Sequence, residues 1–524
     1  MEDWTQTSSL EMALQKIKIP ILSLQVQRRP PLCRPRYTLA PIESLPNELL
    51  SEIFAFGAGG ASTVSFDDSD DFHDLISLPI TVSHVCRHWR QVALSTATLW
   101  STIVLTFPSS SVQLTRTLTW LHRSRNRALH LFLDFRDPDW NWSENTHPFS
   151  WKSMENVMRL LVPHAHRWSR VELLTDTWSP IFTFLWYASR ITSAPILEDI
   201  KVSRCNAFFA SKGETFRPLD MRTPIAWFNS GTALTNLRRV SLAGVHVDWA
   251  HAGLAGLEEL ELKFHAADVM PTLREFADIV AASPNLRRLA VVGWGPRLGP
   301  SDAAQGTTDP DFVRAQHSVR LPNLEELMLG YVDAAYAVDF LSLLCMPTLR
   351  HLKLEDLSPL LAAVGPREDV TPLLEYALWL YSSRCPREAH SISCCTTKCL
   401  PLSTLESLEL RSVRVASGSA GPIRRLLQAC SSLLRLRLTN LDDATLCALL
   451  PSLIDEAPQD VGLGVSTSAS TGGGLVPSTL CPSLESLECA HSEKPVLAKL
   501  FQISHAVESR PASPKRVHTS ILSA

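Results

Sequence analysis

From position 118 to about 490 the chain keeps returning to one apolar skeleton, L-x-x-L-x-L. The clearest copies read LTNLRRVSL (234–242), LAGLEELEL (254–262), SPNLRRLAV (283–291), LPNLEELML (321–329), MPTLRHLKL (346–354), LSTLESLEL (402–410), CSSLLRLRL (430–438) and CPSLESLEC (481–489). The last two apolar positions of each alternate with polar ones, which is the period of a strand, while the first leucine turns inward before the strand begins. Helical patterns lie between copies, at 267–282, 421–432 and 442–454. Strand, return helix and next strand therefore form the unit. Weaker copies precede these, in RSRNRALHLFLDF (123–135), HRWSRVELL (166–174) and APILEDIKV (194–202). The anchoring leucines are unevenly spaced, from Leu237 to Leu257, Leu286, Leu324 and Leu349, so loops of different length leave the stack. No single unit buries its apolar face alone, and stacked neighbours bury it together. The pattern predicts an irregular α/β solenoid.

A different texture precedes the repeats. PIESLPNELLSEIFAFG (41–57) places Leu45, Leu49, Leu50, Ile53 and Phe54 at helical spacing, with Pro46 in the first turn and Gly57 where a C-terminal cap belongs. The next stretch is Gly-rich and then holds Asp67, Asp68, Asp70, Asp71 and Asp74 without a Lys or Arg, so residues 57–74 read as a solvated loop. A calcium loop would need a mid-loop Gly and a terminal Glu that are absent. Apolar periodicity resumes at residue 75. On one continuous helix, Val82, Val85, Cys86, Trp89, Val92 and Ala93 fall on a stripe roughly 120° wide, which makes Cys86 and Trp89 expected packing residues. The expected organisation is an unstructured segment at 1–40, an all-helical module at 41–106 with its acidic insertion, a repeat region at 107–492, and a largely unstructured Pro/Ser/basic tail at 493–524.

Composition narrows the partners. Of 524 residues, 45% are apolar and 19% charged, and the formal net charge of −4 supplies no basic excess for a phosphate backbone, so no nucleic-acid partner is expected. No apolar run approaches the roughly 18 residues of a membrane span, so no membrane partner is expected. Twelve cysteines are too sparse for a disulfide scaffold, and MEDWTQTSSL opens with acidic residues instead of a basic leader, so reduced thiols in the cytoplasm or nucleus are the expectation.

Charge changes the picture of the repeats. The two residues after the first leucine read Arg238-Arg239, Glu258-Glu259, Arg287-Arg288 and Glu325-Glu326, then Arg350-His351, Glu406-Ser407, Leu434-Arg435 and Glu485-Ser486. In a parallel stack with strands ~4.8 Å apart these become neighbours, and opposite charges there gain roughly 0.2–1 kcal/mol. The ladder reads first as a register device, with a ligand-reading surface as the alternative. Non-adjacent strands, or further strands hidden in the long gaps after Leu349 and Leu433, would defeat it.

Candidate chemistry is thin. His84, Cys86 and His88 crowd five positions, but on one helix Cys86 points about 160° from His84, leaving at most a two-His site completed from elsewhere. Cys385, Cys394, Cys395 and Cys399 with His390 invite a zinc reading, against which stand the missing C-x-x-C pairs; a surface loop is expected, and no metal and no cofactor. The fourteen tryptophans suit helix-to-sheet packing, with an aromatic binding patch as the alternative. No G-x-x-x-x-G-K-[ST], H-E-x-x-H or G-x-S-x-G occurs, so no catalytic residue and no enzyme is expected.

Taken together, PIESLPNELLSEIFAF and VSHVCRHWRQVALSTATLWSTIVL resemble an F-box, in particular the F-box proteins of mushroom-forming fungi in which leucine-rich-repeat-like segments follow. That resemblance implies docking on the Skp adaptor of a cullin-RING (SCF-type) ubiquitin ligase, with the repeats capturing a protein substrate of unknown identity. It assigns Leu45, Pro46, Leu49, Leu50, Ile53, Val82 and Cys86 to the adaptor, and Phe54, Val85, Trp89, Leu99 and Trp100 to the core of the module. The insertion at 57–74 departs from the family pattern and puts adaptor binding in question. The other reading is a leucine-rich-repeat interaction scaffold whose F-box binds weakly or not at all, outside the ubiquitin pathway.

Overall fold

A computed structural model describes residues 42, 45–58, 71–205, 212–298, 319–361, 368–382, 400–415, 420–442, 445, 446, 449, 480–491 and 518–523. The cysteine cluster at 385–399 and most of the acidic stretch lie outside them. The chain divides into two compact units, Met1–Leu50 and Ser51–Ala524. Of the first, the described residues are 42 and 45–50, which include the opening turn of helix α1 (Asn47–Ala58), where Leu50 N–H donates to the Pro46 carbonyl at 3.1 Å.

In the second unit, α2 (Asp71–Val85) and α3 (Arg87–Ser95) lead through a single 3-10 turn, Ala97–Trp100, into β1 (Thr102–Thr106). Fourteen strands follow: β2 (Leu129–Asp134), β3 (Trp168–Thr175), β4 (Asp199–Arg204), β5 (Arg239–Ala243), β6 (Glu259–Lys263), β7 (Arg288–Val292), β8 (Val319–Arg320), β9 (Glu326–Tyr331), β10 (Leu344–Cys345), β11 (His351–Asp356), β12 (Ser407–Arg411), β13 (Arg435–Thr439), β14 (Ser486–His491) and β15 (His518–Ser523). All but β8 and β10, which pair with each other, join one parallel sheet in chain order among the described residues. The connecting helices are α4 (Ser111–Arg123), α5 (Trp151–Leu161), α6 (Trp178–Ala188), α7 (Leu273–Ala281), α8 (Ala334–Leu343), α9 (Thr371–Ser382) and α10 (Gly421–Ala429). The fold is thus mixed α/β, helical at its N-terminal end and built elsewhere on a parallel sheet.

The leucine skeleton explains the sheet. Val240, Leu260, Leu289, Leu327, Leu352, Leu408, Leu436 and Leu487 stand opposite one another in register, and so do Leu242, Leu262, Val291, Leu329, Leu354, Leu410, Leu438 and Cys489. All are buried, as are the preceding leucines from Leu237 to Leu484. Full burial of each such side chain contributes about 1.5–3 kcal/mol, which fixes register because a one-residue slip would expose the whole set. β11 pairs directly with β12 and β13 with β14, so in the sheet no strand comes between the members of either pair.

Strands β1 and β3 are buried on both faces. The cause is α2: Leu75, Val104, Phe132 and Leu174 form one buried cluster, with Ile76 against it. Several expectations change here. Asp71 and Asp74 lie within α2, not in a loop. Gly57 lies inside α1, where a Cβ would come 3.1 Å from Leu78 Cδ2, so its place is set by close approach of α1 and α2 and not by capping. The tail expected to be unstructured contributes β15, paired in parallel with β14. The helix read at 267–282 begins only at Leu273, because Thr272 and Glu275 form a capping box in which each side chain accepts the other's backbone N–H.

Candidate functional site

The helical end carries two populations of apolar side chain. On α1, Leu50 and Phe54 are buried at 0% and 3% exposure, while Leu49, Ile53 and Phe56 remain 51%, 50% and 89% exposed. Spacings of four and three put the exposed three on one side of the helix. Leu45 is half-buried and Pro46 exposed. The C-terminal half of α1 is held by Phe54, whose ring centroid lies 4.9 Å from that of Trp89, and by Ser51, whose Oγ lies 3.0 Å from Thr96 Oγ1. Thr96 in turn donates to the Val92 carbonyl at 2.8 Å.

Cys86 does not sit on a helical stripe, because there is no continuous helix for it to belong to. It caps α3: its backbone is extended and its Sγ accepts the Trp89 N–H at 3.4 Å. Arg90 Nε donates to the Ser83 carbonyl at 2.8 Å and so closes the end of α2 with a cation, the sign favoured at a helix C-terminus. Within α2 itself the outcome also differs from expectation. Val85, expected in the core, is 56% exposed, and Val82, expected on the docking face, is 6% exposed. Leu50, expected on the docking face, is likewise buried. Cys86 itself is exposed and Trp89 half-buried. Among the described residues no His, Cys, Asp or Glu trio is placed to hold a metal.

Leu99 and Trp100 are buried at the junction with the sheet. Trp100 Nε1 donates to the Ala93 carbonyl at 2.9 Å, its ring meets Trp120 edge-on at 5.5 Å, and the Arg123 guanidinium covers it at 4.4 Å. The helical end is therefore continuous with the sheet, to which it gives strand β1.

The charged positions occupy a separate surface. Arg239 stands opposite Glu259, Glu259 opposite Arg288, and Arg288 opposite Glu326. Arg288 reaches both neighbours, at 3.9 Å to Glu259 and 3.5 Å to Glu326, and Glu261 at 3.4 Å. Arg238 pairs with Glu258 at 2.6 Å, and Arg287 and Glu325 continue that outer row through backbone bonds to Glu258 and Arg287. The row also extends where the sequence reading did not look: Asp199 pairs with Arg239 at 3.2 Å and with Arg170 at 3.6 Å. The Glu198-Asp199 pair within APILEDIKV carried that signal. A second row two residues on was also missed, with Lys201–Glu172 at 2.7 Å, Lys353–Glu409 at 3.2 Å and Arg437–Glu488 at 2.6 Å. It was legible at the polar position between the last two leucines. In these pairs a charge meets its opposite on the next strand, so this part of the surface largely satisfies itself.

Residues 42–106 match the family model described as F-box-like. No curated protein matches the chain.

Proposed function

We propose that the chain is a substrate-recognition subunit of an SCF-type ubiquitin ligase, its F-box-like region docking on a Skp-type adaptor and, through it, a cullin. F-box domains in general bind such adaptors. The observation that carries the reading is the exposed row Leu49, Ile53 and Phe56 on α1 inside the matched region, preceded by Leu45 and Pro46. Exposed apolar side chains in a row on a small module mark a partner surface. We read the sheet region as a leucine-rich-repeat-like solenoid that captures the target protein; the in-register leucine rows support this. Ubiquitin transfer belongs to other subunits, and the cytoplasm or nucleus is where the complex would act. The test is titration of purified Skp adaptor against the full chain. Ile53→Asp should weaken binding by about 100-fold, the scale of a buried interface anchor. An adaptor that ignores the unaltered chain rejects the proposal.

A further inference from the structure

Between α5 and α6 lies a cavity of about 350 Å³, lined mainly by Trp151, Phe182, Trp186, Tyr187 and Met221, with Glu155 as its one carboxylate wall residue. Trp151 and Trp186 are left 49% and 43% exposed at its mouth, although side chains of this size usually give up most of their surface on folding. Glu155 is already matched: Arg159 donates to its Oε1 at 2.8 Å and the Tyr187 hydroxyl at 3.1 Å. Two further cations sit on the tryptophans themselves. The Arg190 guanidinium carbon lies 3.1 Å from the Trp186 ring centroid, and Lys152 Nζ lies 5.4 Å from that of Trp151. Neither has a carboxylate partner among the described residues, and each lies over the ring of a tryptophan that lines the cavity. Asp220 and Arg222 flank Met221 in sequence, and Arg222 is paired with Asp268 at 3.1 Å.

We infer that this cavity receives a bulky apolar side chain from an acidic peptide segment, with carboxylates on either side of the anchor meeting Lys152 and Arg190. The apolar, aromatic wall selects the anchor. Cations held over ring faces are fixed in place and only partly hydrated, so they offer directed partners to carboxylates. A cationic segment would find the same two positions repulsive and the wall carboxylate occupied. The inference deepens the proposed function by naming a substrate class, and it rests on the reading of the chain as a receptor for proteins.

The probes are fluorescein-labelled eight-residue peptides with a central Phe, Trp or Leu flanked by Asp and Glu, their counterparts with Lys at the acidic positions, and a version with central Ala. Anisotropy with the full chain should show at least one acidic peptide binding about 10-fold or more tightly than its Lys counterpart and than the Ala version, and weakening as salt rises. Trp186→Ala and Arg190→Glu should each reduce that affinity by about 10-fold, the range of an interface anchor, while adaptor affinity and melting temperature stay unchanged. The inference is overturned if no acidic peptide binds, if the Lys peptides bind as well, or if Trp186→Ala melts normally and binds unchanged. Loss of adaptor binding in the unaltered chain would count against the ligase reading alone, because the peptide titration contains no adaptor.

Discussion

The helical end and the sheet that follows it handle their outward-facing residues in opposite ways. On the sheet, the polar positions between buried leucines carry charges that meet their opposites on the adjacent strand, as Arg288 does between Glu259 and Glu326. On α1, the outward positions include Leu49, Ile53 and Phe56 beside Glu48 and Glu52, and these apolar three meet nothing comparable. One region is complete as it stands and the other is incomplete. The difference separates two uses of outward positions: the ladder's charges pair across strands, and the apolar row on α1 is exposed and open to the partner we propose.

The comparison breaks if the sheet does not depend on its leucine rows. Leu260, 1% exposed and in register with Val240 and Leu289, should cost about 2–5 kcal/mol when replaced by Ala, measured as a shift of the denaturation midpoint. A smaller loss than 1 kcal/mol would mean that the rows tolerate a cavity, and with it that register is set elsewhere.

Acid should act on the sheet region next most strongly. Burial pushes His246 and His265 down to about 4, outweighing the hydrogen bond that each ring Nε2–H donates at 2.8 Å to a backbone carbonyl, of Arg222 and Val245 respectively. The unfolded chain takes up protons near the ordinary value of about 6.5, so between 6.5 and 4 it binds more protons than the folded one. Stability is then full above about pH 6.5 and falls toward pH 4, by up to roughly 3 kcal/mol per histidine. Melting temperature followed from pH 7 to 5 should drop less steeply in His246→Phe than in the unaltered chain.

The ladder itself is worth less. Arg288→Glu places three like charges in a row across β6, β7 and β9 and should destabilise by about 1 kcal/mol at low salt, less at high salt because these side chains are partly exposed. Adding Glu259→Arg should recover part of the loss. An unchanged midpoint in Arg288→Glu would favour the alternative of a ligand-reading surface.

How far the sequence made this legible follows from the same contrast. The leucine rows and the alternating charges were visible because strand period two fixes which face each residue takes, and parallel pairing carries equivalent positions into contact. The helical end was harder. A helical wheel assumes a continuous helix, and it cannot register that Arg90 reaches back to the Ser83 carbonyl or that Cys86 turns its Sγ to the Trp89 amide. Val82 and Val85 lie before that break, and they exchanged the places the resemblance implied because the packing of α2 covers Val82 and leaves Val85 out. Leu50 was mistaken for a docking residue for a related reason: spacing groups Leu49, Leu50 and Ile53 as apolar, but only tertiary packing decides which of them is covered. Leu99 and Trp100, expected in the core of the module, are buried and also lie where it joins β1.

The smallest effect on folding should accompany the largest on binding. Ile53→Asp alters a half-exposed side chain and should move the midpoint by no more than about 0.5 kcal/mol. The central claim is tested most directly by titrating purified Skp adaptor into three full-length proteins: unaltered, Ile53→Asp and Arg288→Glu. The account predicts tight binding to the unaltered chain and to Arg288→Glu, and a loss of about 100-fold in Ile53→Asp at unchanged melting temperature. Equal affinity of the adaptor for Ile53→Asp and the unaltered chain would contradict it.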